Sequence, residues 1–245
     1  MTTALTLDRI TKRFGGLAAV QDVTVQIASG EITGLIGPNG AGKTTLFSII
    51  AGKTRPSEGR VLCFGHEITG WSAHAVCRLG VCSTHQVVRP FGDLTVLENV
   101  RVGASFGASG RLGGRTSAEE AVDTLTFVGL AHRQDSLASA LTLAQRKRLE
   151  IARALATRPS VLLLDEVLAG LTPAEIQQGT ALVRQIRARG ITIVMIEHVM
   201  RAVMDLSDRV LVLNYGRLIA DGSPAVVANN PQVIEAYLGE TTSED

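Results

Sequence analysis

The sequence predicts an α/β fold: a core of buried strands and helices, antiparallel strands on its N-terminal side and a helical insertion within it. Three observations carry this. Residues 37–44 read Gly37-Pro38-Asn39-Gly40-Ala41-Gly42-Lys43-Thr44, the pattern G-x-x-x-x-G-K-[ST], between a strand-like stretch at 31–36 and a helix-like one at 43–51. Two short apolar runs, 161–165 and 191–196, end at or beside acidic residues, as buried strands with a ligand-facing edge do. Between the loop and these runs, residues 88–156 carry helical rather than strand patterning.

Taken in order, Leu5, Leu7, Val23, Val25 and Ile27 alternate with polar residues, which predicts half-buried antiparallel strands. The glycine-rich loop and its helix follow, then a turn at 56–59 and a short strand at 60–64. In the helical stretch, Thr95 with Glu98 and Ser117 with Glu120 each fit a capping box. Residues 103–115, rich in Gly, Ser and Ala, are expected to form a mobile loop, and Gly129 a helix stop. Thr172-Pro173-Ala174-Glu175 reads as a helix start, with Thr172 as cap, Pro173 at the first position and Glu175 closing the box; Gly190 ends that helix. Residues 210–213 and 218–220 flank the turn Asn214-Tyr215-Gly216 as in a hairpin. Ser223-Pro224 opens a final helical region, and 240–245 is a polar tail. No internal repeat is visible. The expected division is a core with antiparallel strands at 1–87, a helical subdomain at 88–156, and the rest of the core with C-terminal helices at 157–245.

A chain of 245 residues suits one large α/β domain or a core with an inserted subdomain, and 45% hydrophobic residues are enough to bury a core. The net charge of +1 provides no field to recruit nucleic acid or anionic lipid, and 4% aromatics leave little surface for stacking bases. Cys63, Cys77 and Cys82 lack metal-ligand spacing and read as reduced thiols of a cytosolic protein. Residues 1–9 lack a basic start followed by a long apolar run, so no signal peptide is expected. The longest apolar runs are too short to span a bilayer, so any membrane role must come through a partner.

The glycine-rich loop has legible chemistry. Its three glycines let the backbone curl so that successive N–H groups face inward; with the positive end of the next helix they hold phosphate oxygens. Pro38, Asn39, Ala41 and Thr45 complete this cradle; Lys43 can reach the β- and γ-phosphates, and the Thr44 hydroxyl can ligate Mg²⁺. Leu162-Leu163-Leu164-Asp165-Glu166 delivers two carboxylates at the end of an apolar strand: Asp165 to hold the Mg²⁺ hydration shell, Glu166 to polarise an attacking water as general base. Gln86, after Ser83-Thr84-His85, sits at the junction into the helical insertion, where its amide can touch Mg²⁺ or the attacking water. His198, just past a buried strand, can hydrogen-bond the γ-phosphate. Phe14, within Lys12-Arg13-Phe14-Gly15-Gly16, can stack on adenine, a contact worth about 1–3 kcal/mol by analogy with base stacking.

The order of aromatic, phosphate loop, Gln, signature segment, Asp-Glu and His resembles the ATP-binding cassette ATPases over essentially the whole chain. That resemblance implies a P-loop NTPase of RecA-like core with an antiparallel β-subdomain and an inserted α-helical subdomain, using ATP and Mg²⁺. It also implies that two cassettes dimerise head to tail, each ATP lying between one phosphate loop and the other signature segment, with closure and opening driving a membrane transporter. The segment here is Leu141-Thr142-Leu143-Ala144-Gln145, where the family form is Leu-Ser-Gly-Gly-Gln. Thr142 keeps a hydroxyl and Gln145 is retained, so the resemblance implies that both serve nucleotide, but both glycines are gone. Where such a position needs φ > 0, a non-glycine residue costs about 1–2 kcal/mol. Val167 replaces a usual proline, and Thr172 stands where Asp is common. These departures lead us to expect a heterodimer with unequal sites, the competent one using Lys43 and Glu166 of this chain with a partner's signature; a homodimer stays open.

Several segments resemble the larger ATPase subunit of bacterial branched-chain amino-acid importers: Arg13-Phe14-Gly15-Gly16-Leu17, Leu94-Thr95-Val96-Leu97-Glu98-Asn99, Arg148-Leu149-Glu150-Ile151-Ala152-Arg153, Ala169-Gly170-Leu171-Thr172-Pro173, Ile196-Glu197-His198, and Asn230-Pro231 with Ala236-Tyr237-Leu238-Gly239. This implies a second ATPase subunit, two permease subunits and an extracytoplasmic binding protein, with no nucleic acid. It implies a cytoplasmic subunit peripheral on the inner face of the cell membrane, whose permease-coupling surface lies at about 89–98. Two alternatives remain: a lipopolysaccharide-export cassette, which shares the Tyr-Leu-Gly ending, and a soluble cassette or nucleotide-dependent regulator. The absence of a guanine-specifying Asn-Lys-x-Asp argues against an ordinary GTPase.

Overall fold

The structure, a computed structural model, describes residues 2–84, 90–106 and 116–238. The elements in chain order are β1 (Thr3–Phe14), β2 (Leu17–Ala28), β3 (Ile32–Ile36), α1 (Lys43–Ile50), β4 (Glu58–Cys63), β5 (His66–Glu67), α2 (Ala73–Leu79), β6 (Val81–Ser83), α3 (Val96–Phe106), α4 (Ser117–Phe127), α5 (Leu143–Ala156), β7 (Val161–Asp165), α6 (Pro173–Ala188), β8 (Thr192–Ile196), α7 (Met200–Leu206), β9 (Arg209–Asn214), β10 (Arg217–Gly222), α8 (Pro224–Ala228) and α9 (Pro231–Leu238).

The strands form two sheets. One is antiparallel, in the order β2-β1-β4-β5; the other runs β10-β9-β3-β8-β7-β6 and is parallel from β9 to β6. The alternation at Leu5, Leu7, Val23, Val25 and Ile27 buries each of these side chains in a core that also holds α1 and one face of β3, β7 and β8. The other face of the parallel sheet packs on α5, α6 and the helical region. β3, β7 and β8 are buried along their whole length, which is why they read as continuous apolar runs. Among the described residues, no helix is long and apolar enough to cross a membrane.

Local signals place most elements. Thr172 caps α6 as the sequence predicts, accepting from Glu175 N while the Glu175 carboxylate accepts from Thr172 N at 2.9 Å. Thr95 and Glu98 make the expected box at α3, with Thr95 N donating to Glu98 Oε2 at 2.7 Å. Gly129 (φ 76°) follows α4, and Gly190 (φ 82°) follows α6.

Three expectations are corrected. The box at α4 is Thr116 with Glu119, not Ser117 with Glu120: Thr116 N donates to Glu119 Oε2 at 2.8 Å, and Glu120 instead pairs with Arg158. A one-residue slip in an S/T-x-x-E reading costs nothing in sequence, because adjacent positions both satisfy the pattern. Residues 103–106 are not loop but the last turn of α3. Gly103 is there because a Cβ would lie 2.3 Å from the Arg153 carbonyl oxygen; it lets α3 approach α5. The remainder of the expected loop, 107–115, lies outside the described residues. The β9–β10 turn is the two-residue Tyr215-Gly216 (φ 44° and 77°), with Asn214 ending the strand, the geometry that matches strand twist.

Candidate active site

Sheet register brings the site together. β3 lies between β8 and β9, and Ile196 of β8 pairs with Leu35 of β3 on one side and Asp165 of β7 on the other. The carboxyl ends of β3, β7 and β8 therefore carry the glycine-rich loop, Asp165-Glu166 and Glu197-His198 to one edge, where open α/β sheets bind ligands.

The loop is held by its surroundings. A Cβ on Gly37 (φ 145°) would sit 2.0 Å from the Leu213 carbonyl oxygen, and one on Gly42 (φ 100°) 2.3 Å from the Ala19 carbonyl oxygen. The turn after β9 supports it from outside, with Gly216 N donating to Ala41 O at 3.0 Å. Lys43 is buried and donates to Gly37 O (2.6 Å) and Pro38 O (2.8 Å), so its ammonium lies across the mouth of its own loop. Asn39, Gly40, Ala41, Gly42, Lys43, Thr44 and Thr45 line a cavity of about 220 Å³ together with Glu166, His198 and Ala19. The α1 N-terminus supplies helix-end N–H groups there, which favours an anion.

Asp165 ends β7 almost fully buried, its backbone N–H held by the Thr84 hydroxyl at 3.0 Å. Burial, then the neighbouring Glu166 carboxylate, pushes its pKa up, while Lys53, His198 and Lys43 pull it down. Its Oδ1 is buried and, among the described residues, has no hydrogen-bond partner. A hard divalent cation coordinated through oxygen would satisfy that atom, so the residues present fit Mg²⁺ held by Asp165 and Thr44. Glu166 adopts a left-handed conformation (φ 49°), uncommon for a residue with a side chain and costing about 1–2 kcal/mol. Its N–H donates to Ile196 O (2.9 Å) and its carbonyl accepts from Lys147 Nζ (2.5 Å); its Oε1 lies 3.0 Å from His198 Nε2. This twist turns the carboxylate out of the strand and into the cavity.

Glu197 is a residue that sequence reasoning passed over. It is buried; Oε1 accepts from Leu168 N at 2.7 Å, and Oε2 has no partner among the described residues. Burial raises its pKa from 4.5 to about 7, against the pull of the Leu168 N–H and Lys147. A carboxyl whose folded pKa is raised binds its proton more tightly when folded. Its contribution is most favourable below about pH 4.5 and is lost as pH rises through about 7. Glu197→Gln is thus expected to be more stable than the wild-type chain at pH 8 by on the order of 3 kcal/mol, relative to their difference at pH 4. Chemical denaturation of both chains across that range measures it; parallel pH profiles would contradict it.

The remaining expected site residues are placed differently. Phe14 sits at the exposed tip of the β1–β2 hairpin with the Lys12 ammonium 4.9 Å from its ring centroid, and it is not among the cavity's lining residues; Ala19, which no motif marked, is. Thr142 and Gln145 cap α5 against each other, Thr142 N donating to Gln145 Oε1 at 3.1 Å, and they do not line this cavity. Leu143 and Ala144 stand in the first turn of α5 with no positive φ, so replacing the two glycines costs no backbone strain here. Gln86 lies outside the described residues, as does Arg89. In the described part of the expected coupling surface, buried Asn99 organises the loop before α3: its Oδ1 accepts from Phe91 N (2.9 Å), and its Nδ2 donates to the carbonyls of Phe91 (3.0 Å) and Thr95 (2.9 Å).

Comparison with known proteins agrees with this geometry. Residues 20–169 match the family model described as ABC transporter, and residues 217–242 the model described as branched-chain amino acid ATP-binding cassette transporter. The chain is 39% identical to the high-affinity branched-chain amino acid transport ATP-binding protein BraF of Pseudomonas aeruginosa, over 96% of this chain and 98% of that one. It is 40% identical to the corresponding LivG of Escherichia coli K12, with the same coverage of both chains. Among solved structures, the ADP conformation of MJ1267, an ATP-binding cassette of an ABC transporter, superposes with a TM-score of 0.89 at 32% identity, covering 98% of this chain and all of that one. A phosphate loop, a carboxylate pair and a histidine on one sheet edge, together with these matches, place the chain in the ABC transporter family as a nucleotide-binding ATPase cassette.

Proposed function

We propose that this chain powers import of branched-chain or closely related amino acids, binding and hydrolysing MgATP on the cytoplasmic face of a membrane complex. The observation that carries the choice of cargo is the C-terminal segment, 217–242, which matches the branched-chain family model and contributes β10, α8 and α9. In this reading Phe14 stacks on adenine, the 37–45 loop and Lys43 hold the phosphates, and Thr44, Asp165 and Gln86 hold Mg²⁺. The metal would screen phosphate charge during transfer. Glu166 takes the proton of the attacking water, and His198, 3.0 Å from it, orients that carboxylate and meets the γ-phosphate. Thr142 and Gln145, on a separate surface, serve the nucleotide of a second cassette. The other partners are two permease subunits, meeting the region after Gln86, and an extracytoplasmic binding protein that acts through them. The three-part division at 1–87, 88–156 and 157–245 belongs to the same reading.

Two measurements test it. Deleting the gene should abolish uptake of radiolabelled leucine, isoleucine or valine, and the wild-type chain should restore it. Unchanged amino-acid uptake with a lipopolysaccharide defect would move the assignment to the export group. The purified chain should be stabilised against heat by ATP with Mg²⁺ more than by GTP with Mg²⁺, and Phe14→Ala should reduce that preference. Equal shifts with both nucleotides would remove the role given to Phe14.

A further inference from the structure

Lys147 has no part in the chemistry above, yet it is placed where two functional elements meet. It lies on α5, five residues past Thr142 and two past Gln145, and is buried at 7% exposure. Its ammonium donates to the carbonyl oxygen of Glu166 at 2.5 Å. Burial pulls its pKa down, and the Glu197 and Glu166 carboxylates hold it up. A buried ammonium is costly unless polar groups compensate it; here they are the Glu166 carbonyl at hydrogen-bond distance and the Glu197 and Glu166 carboxylates nearby.

That residue is the candidate base. Glu166 sits at φ 49°, a conformation that persists only where the surroundings over-determine it. Its N–H donates to Ile196 O, and its carbonyl oxygen accepts from Lys147 Nζ at 2.5 Å and, more weakly, from Ala169 N at 3.4 Å. Two residues on, Leu168 N donates to Glu197 Oε1 at 2.7 Å, so the segment after the base is also tied to the end of β8. The N-terminus of α5 touches that segment as well: a Cβ on Gly170 would meet Leu143 Cδ2 at 3.3 Å.

We propose that Lys147 is a positioning residue that ties the signature helix to the left-handed peptide at Glu166, so that a displacement of α5 at one nucleotide site sets the aim of the base at the chain's other site. This rests on the reading of Glu166 as general base. Loss of the tie touches neither the 37–45 loop nor Lys43, the groups that hold the phosphates in this reading. It should therefore reduce turnover without a matching loss of nucleotide affinity.

The test uses the full-length chain with MgATP, in the assembly that hydrolyses it. Lys147→Met, nearly isosteric and uncharged, should lower kcat about tenfold or more while the dissociation constant for ATP and the melting temperature stay near wild type, and Lys147→Arg should recover most of the rate. Lys147→Gln, which keeps a donor but falls short of the Glu166 carbonyl, is expected to lose the same factor and carries the test if the methionine variant does not fold. In a Glu166→Gln background, Lys147→Met should remove nothing further, because both act through one group. A wild-type kcat in the methionine and glutamine variants, a loss matched by weaker ATP binding or lower stability, or independent losses in the double variant would each overturn the proposal. Undiminished turnover by Glu166→Gln alone would instead remove the general-base reading, so the two failures are distinguishable.

Discussion

Glu166→Gln is expected to lower the steady-state rate of phosphate release by about 10²- to 10⁴-fold, the range that loss of a positioned general base spans, with the affinity for ATP essentially kept. The reason is geometric. The Glu166 carboxylate enters the cavity only because its backbone takes a left-handed turn at the end of β7, and His198 Nε2 fixes one of its oxygens at 3.0 Å. Glutamine preserves the shape and accepts hydrogen bonds but cannot take a proton at neutral pH. Asp165, one residue earlier, cannot substitute: it is almost fully buried at the end of β7 and is not among the cavity's lining residues. The check is paired measurement of turnover and of nucleotide binding on the same preparation. Equal loss in both would mean that Glu166 supports the loop rather than the reaction.

The second large effect is expected at Gly42. Gly42→Ala should weaken ATP binding at least a hundredfold, about 3 kcal/mol, because the added Cβ would lie 2.3 Å from the Ala19 carbonyl oxygen of β2 at φ 100°. Neither β2 nor the loop can give way cheaply: Ala19 lies in a strand that pairs along β1, and the loop opens α1. Gly40→Ala is the control within the same loop. A Cβ there meets nothing within 4 Å, and only the positive φ of 75° is strained, so it should lose about 1–2 kcal/mol, a roughly 5- to 30-fold weakening against the hundredfold or more at Gly42. Titration with ATP and Mg²⁺ on both variants decides it; equal losses would mean that conformation alone, not the close approach of β2, demands glycine at 42.

Much of the site is local in sequence. A glycine-rich loop flanked by strand and helix, or an apolar run ending in two carboxylates, specifies both the backbone and the chemistry within a dozen residues. Thr172-Pro173-Ala174-Glu175 likewise names its own cap, because all the groups it uses lie within one helical turn. Where two adjacent positions satisfied the same local pattern, as at Thr116 and Ser117, only the hydrogen bonds chose between them.

What the chain determined by itself was therefore the inventory: an ATP-binding α/β cassette with Lys43, Thr44, Asp165, Glu166 and His198 in their order, and the family to which that order belongs. What tertiary structure alone decided was every relation between residues far apart in the chain. Gly103 is a helix-packing position because Arg153 O lies 2.3 Å from where its Cβ would stand. Glu197 holds its proton to about pH 7 because β8 ends inside the molecule. Lys147 reaches Glu166 because α5 packs across the end of β7. The physical reason is common to all three: burial and close approach depend on which distant segments share a volume, and no periodicity or spacing along one segment carries that information.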